Sequence, residues 1–143
     1  MKLIVPALLL LALPLSALAL STPATAPAPA PRVATPGIGH IVSAIGRGQA
    51  DALLAQMDSE VELSILDDED VYGKQEAVQR LREFFGKVKP TAFNQVHQGS
   101  SKADDAEYVI GNLTTASGSY RVYVYVAVRG GQQKLQELRI DRE

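Results

Sequence analysis

From Ser119 to Arg129 the chain reads SYRVYVYVAVR, an apolar and polar alternation of period two. A helix would scatter these residues around its circumference, whereas a strand sorts them onto two faces, so the stretch dictates a β-strand in a sheet. One face carries Tyr120, Val122, Val124, Val126 and Val128, and its composition is that of a core. The other carries Arg121, Tyr123, Tyr125, Ala127 and Arg129. Two tyrosines bracketed by two arginines match the centre of a protein interface, which makes this face an expected dimer or partner surface. The alternative is a surface of high β-propensity covered by its own arginine stems.

The neighbouring segments supply the rest of the sheet. AFNQVHQG (92–99), AEYVIGNLTT (106–115) and KLQELRID (134–141) read as strands joined to 119–129 by short, turn-rich links, so a four-strand antiparallel meander is expected. VELSIL (61–66) alternates as a further half-buried strand. Ile38, Ile41, Val42 and Ile45 recur at helical spacing, then Gly46-Arg47-Gly48 breaks the pattern before Ala52, Leu53 and Met57 resume it. KQEAVQRLREFFGKV gathers Ala77, Val78, Leu81, Phe84 and Phe85 on one helical stripe, with an end expected at Gly86 and Pro90. The acidic DDEDVYG before it reads as a polar turn favouring the helix N-terminus. Three helices in the N-terminal half and a curved antiparallel sheet give an α+β fold, with the helices on the concave face. The expected core is Ile41, Ile45, Leu53, Leu63, Ile65, Leu81, Phe85, Val109, Val124, Leu138 and Ile140.

Ahead of this domain, residues 1–19 form an apolar run behind Lys2 that ends in Ala17-Leu18-Ala19, the pattern of a cleaved signal peptide. Pro6, Pro14 and Ser16 make the run too short and broken for a membrane span, so no transmembrane segment is expected after cleavage. Residues 20–37 are rich in Pro, Ala and Thr and read as a disordered tether, leaving 38–143 as one small domain. The expected location is periplasmic or extracellular. The chain has no cysteine, which excludes disulfides, cysteine-held metal and a cysteine-linked lipid. It carries 14 basic against 16 acidic side chains, and Lys2 and Arg32 precede the domain, so a nucleic-acid partner is not expected.

The stretches AIGRGQADALLAQMDSEVELSILDDEDVYGKQEAVQRLREFF, FNQVHQGSS, YVIGNLTTASGSYRVYVYV and LRI resemble the nuclear transport factor 2-like (cystatin-like) superfamily. HQGSS and SYRVYVYV are similar to a narrower family of small exported bacterial proteins known only as a domain of unknown function. The resemblance implies a cone-like fold, a pocket between helices and sheet, and frequent homodimerisation through the sheet. It leaves the activity open, because superfamily members include ketosteroid isomerase-like and polyketide cyclase-like enzymes beside proteins that only bind.

Site candidates are few. His97, placed with Phe93 and Gln95 on one side of its strand, has the residue type for acid–base work but shows no paired acid or nucleophile by spacing. Tyr108, Asn112 and Tyr120 would line a pocket with it if their faces point inward. An isomerase-like site needs a carboxylate opposite a tyrosine, and Asp58 is the nearest acid by position. The DDED run (67–70) lacks the ligand spacing of a calcium loop. GIGH (37–40) lacks the third glycine and the preceding strand of a dinucleotide site, and NLT (112–114) falls within a strand. No cofactor or metal is expected. The reading is a non-catalytic small-ligand-binding or assembly module, with an isomerase- or cyclase-type enzyme and a dimeric scaffold with a filled pocket as alternatives.

Overall fold

The computed structural model describes residues 37–143. The signal peptide expected over 1–19 and the tether up to residue 36 lie outside the described residues. Helix α1 (Ile38–Gly46) is followed by a 3-10 helix (Ala50–Gln56), strands β1 (Met57–Ile65) and β2 (Asp68–Gly73), and helix α2 (Lys74–Val88). Strands β3 (Pro90–Ser101), β4 (Ala106–Thr115), β5 (Gly118–Arg129) and β6 (Gln132–Arg142) complete the domain. The sheet order is β2-β1-β6-β5-β4-β3, antiparallel throughout except for the parallel β1–β6 pair. The expected meander is present as β3 to β6, and the first strand joins its β6 edge.

The N-terminal strand is longer than its alternating segment, and the acidic turn expected after it is a strand. Only Leu66 and Asp67 turn, with Leu66 at φ 56°, and Asp68 to Gly73 then pair residue by residue with Ile65 back to Glu60. Carboxylates have low strand propensity, but backbone pairing to β1 outweighs it, and charge along an outer strand discourages further pairing. On β2, Tyr72 opposite Val61 faces the helices, while Val71 opposite Glu62 faces away and is 57% exposed.

The α2 stripe buries Ala77, Val78, Leu81, Phe84, Phe85 and Val88 against the sheet. The helix runs through Gly86 rather than ending there. Lys89 terminates it in the left-handed region, its N–H donating to the Phe85 carbonyl at 2.9 Å, and Pro90 starts the next strand. Between α1 and the 3-10 helix, Gly48 has φ 66°, which a side chain would resist, and its missing Cβ leaves room for Pro90. The second helical segment tightens to 3-10 geometry, with Ala50 and Leu53 buried and Arg82 of α2 paired to Asp51.

Ten of the expected core residues are buried, and Ile65 packs partly buried at the margin. Leu113, Tyr120, Val122, Val126 and Leu135 join them from the sheet. The alternation of β5 slips at its end: Ala127 is 2% exposed whereas Val128 is only partly buried. Pairing with β6 jumps from Tyr125↔Glu137 to Val126↔Leu135, leaving Gln136 bulged, which bends the strands there.

Candidate functional site

Among the described residues, helices cover one face of the sheet and leave the other open. In an antiparallel pair, directly opposed residues share a face. Tyr108 opposes Tyr125, Ile110 opposes Tyr123, and Asn112 opposes Arg121, so the interface face expected on β5 continues onto β4. It reaches β3 as well, because His97 opposes Ile110. The three rings form a row: His97 lies 5.6 Å from Tyr108 between centroids, and Tyr108 stacks on Tyr123 at 6.0 Å. His97 Nε2 and the Tyr108 hydroxyl are hydrogen-bonded at 3.0 Å. Gly99 makes this row possible, since a Cβ there would sit 2.4 Å from the Tyr108 ring.

Across β6, the open face turns ionic. Arg139 Nε donates to Glu137 at 2.7 Å, and its Nη2 lies 3.3 Å from Glu69 and 3.6 Å from Glu62. The hydrogen bond to Glu137 leads the effects that hold the Arg139 guanidinium above its ordinary value. Desolvation, then the Glu137 carboxylate, pushes the Tyr123 phenol up, so it stays a neutral donor. Arg121 lies 3.8 Å from Glu143, which also accepts a 2.9 Å bond from Asn112. Arg129 stands at the other end of β5, 3.9 Å from Asp58.

These placements divide the residues expected to line one pocket. His97, Tyr108 and Asn112 lie on the open face, whereas Tyr120 is 6% exposed on the helix side, edge-on to Phe84 at 5.3 Å. His97 also parts from Phe93 and Gln95. A bulge at Val96 shifts the register between Gln95↔Gly111 and His97↔Ile110, turning the imidazole to the open side.

Asp58 accepts from Gln136 Nε2 at 2.7 Å and from the Ser59 N–H at 2.8 Å. The Gln136 bond, then the backbone bond, holds its carboxyl below the usual value, the opposite of what a general base near neutrality requires. A carboxylate does meet a tyrosine elsewhere: the Tyr72 hydroxyl donates to Asp68 at 3.2 Å. That carboxylate is also bound by Arg80 Nη1 at 2.9 Å, and the guanidinium covers the Tyr72 ring at 4.3 Å. Asp68 is thus held in an ion pair.

Between helices and sheet the interior is packed with fully buried side chains, Leu53, Leu81, Leu113 and Leu138 among them. Open space remains at its margin, where a cleft of about 390 Å³ lies between α2, the β1–β2 turn and the ends of β5 and β6. Phe84, Val88, Ile65, Leu66 and Tyr120 line it with Arg80, Glu83, Lys87, Arg142 and Asp68. Lys87 and Arg142 gave no sequence signal, because only the fold brings the end of α2 to the end of β6. Among the described residues, no cluster of His, Asp and Glu could hold a metal ion, and no helix is long and apolar enough to cross a membrane.

No curated protein matches the chain. A DUF4783 family protein from Bacteroides ovatus is 32% identical, with TM-score 0.68 over 73% of this chain and 93% of that one. A nuclear transport factor 2-like protein of unknown function from Cytophaga hutchinsonii shares the fold at 8% identity and TM-score 0.54, over 74% and 86% of the two chains. A candidate polyketide cyclase from Sinorhizobium meliloti does so at 9% identity and TM-score 0.56, over 73% and 92%. The family described as "Domain of unknown function (DUF4783)" matches residues 38–141, and on that match, carried by a nuclear transport factor 2-like α+β fold, the chain belongs to the DUF4783 family.

Proposed function

We propose that this protein is an exported, non-catalytic assembly module that forms a homodimer through the open face of its sheet. The observation that carries the reading is the row His97, Tyr108 and Tyr123, ring against ring on a face that no helix of the described residues covers, with Tyr125 beside it. Rigid amphipathic rings lose little conformational freedom on association and supply much of the binding energy at interface centres. The ionic half around Arg139 suits a rim, where exposed pairs add little affinity but fix orientation. The packed interior favours a scaffold over a deep-pocket enzyme, and the fold likeness to a candidate cyclase carries no activity with it.

Native mass spectrometry at micromolar concentration tests the assembly. The expected result is a dimer that the paired change Tyr123→Ala and Tyr125→Ala converts to a folded monomer. A wild-type monomer, or a dimer indifferent to both changes, overturns it. Support for export comes from the N-terminal sequence, with Lys2, the apolar run and Ala17-Leu18-Ala19. Sequencing the N-terminus of the protein recovered outside the cytoplasm should give a start near residue 20, and retention of Met1 there would refute cleavage.

A further inference from the structure

We propose that the cleft beside α2 binds a small amphipathic monoanion, an apolar body of one or two rings bearing a single carboxylate or sulfonate. The cleft lies on the helix-covered side, opposite the tyrosine row, so the assignment does not rest on dimerisation. Its volume of about 390 Å³ falls at the lower end of small-molecule sites. Phe84 and Tyr120, largely buried and edge-on to each other, contribute to an apolar lining completed by Ile65, Leu66 and Val88.

Charge selects the head group. Of the charged residues lining the cleft, Asp68 and Arg80 neutralise one another at 2.9 Å. Glu83, Lys87 and Arg142 remain, with no ion-pair partner among the described residues, and together they leave one positive charge. Lys87 comes from the last turn of α2 and Arg142 from the end of β6, so two different elements bring a cation to the lining of the cleft. Asp67 and Asp141 flank Arg142 in the adjoining depression. Their carboxylates would repel a second negative charge, which limits the ligand to a monoanion rather than a diphosphate or dicarboxylate.

The probe is 8-anilinonaphthalene-1-sulfonate, and its uncharged counterpart is N-phenyl-1-naphthylamine, both titrated by fluorescence into the folded full chain. The sulfonate should bind at one site per chain and more tightly than the neutral probe. Lys87→Gln and Arg142→Gln should each weaken it by up to about tenfold, and Glu83→Gln should strengthen it, with the neutral probe unaffected. These side chains lie at the surface, so each variant keeps its fold. Backbone amide shifts induced by the sulfonate should centre on Phe84, Lys87 and Tyr120. Equal affinity for both probes, sulfonate binding indifferent to the three charge changes, shifts centred on Tyr123 and Tyr125, or no binding of either probe would each overturn the assignment.

Discussion

Small groups decide the open face at the level of single residues. A methyl group at position 99 would overlap the far end of the Tyr108 ring, which can rotate away at little cost to folding. Gly99→Ala should therefore leave thermal stability nearly unchanged yet displace Tyr108 from His97 and Tyr123. The expected readout is a weaker dimer in sedimentation, with circular dichroism as in wild type. Asp58 offers a pH test. Its carboxyl is lowered in the folded state, chiefly by Gln136, so its contribution to stability is present above the ordinary carboxylate value of 3.8 and is lost as pH falls through the depressed one. Gln136→Ala should accordingly reduce the stability lost between about pH 5 and pH 2, measured by urea unfolding across that range. An unchanged acid profile would assign the lowering elsewhere. The same residues mark what the chain's pattern reveals. Tyr123 and Tyr125 were legible as a pair because strict alternation fixes their side. His97 was not, because one extra residue at Val96 reverses every side chain beyond it, and a bulge has no reliable signature in composition.

Local periodicity made α2 and β5 legible as elements, since one apolar stripe and one two-residue alternation admit few other structures. The strand β2 was hidden for the opposite reason: four consecutive acidic residues favour a turn, and only pairing with β1, a tertiary fact, makes the last three of them, Asp68 to Asp70, extended. The α2 boundary shows a related effect, with Gly86 tolerated inside the helix because the buried Phe84, Phe85 and Val88 hold the turns on either side of it. These elements also differ in what they contribute. Leu81 is fully buried at the centre of the α2 stripe, so Leu81→Ala should cost roughly 2–5 kcal/mol in chemical unfolding. Val71 on the acidic outer strand is 57% exposed, and Val71→Thr should change stability by no more than about 0.5 kcal/mol. Comparable losses at the two positions would mean that β2 packs against something the monomer lacks.

At the scale of the described domain, the two faces of one sheet differ: the helix side supplies the core, and the proposed assembly would use the open side. Strands spaced ~4.8 Å apart and rising ~3.4 Å per residue give a six-strand face of about 24 by 33 Å, or roughly 800 Å². That matches one partner's share of a standard specific interface. A twofold arrangement would lay the tyrosine row of one protomer over the same row of its partner, with the Arg139 cluster toward the rim. Unfolding must then depend on protein concentration, because dissociation accompanies loss of the fold. Raising concentration from 1 to 100 μM should stabilise a tightly associated dimer by about 2.7 kcal/mol per mole of dimer, moving the urea midpoint upward. The Tyr123→Ala and Tyr125→Ala double variant should show no such movement. A wild-type midpoint constant over that range would leave the open face as the solvated surface of a monomer, with the cleft beside α2 still to be tested independently.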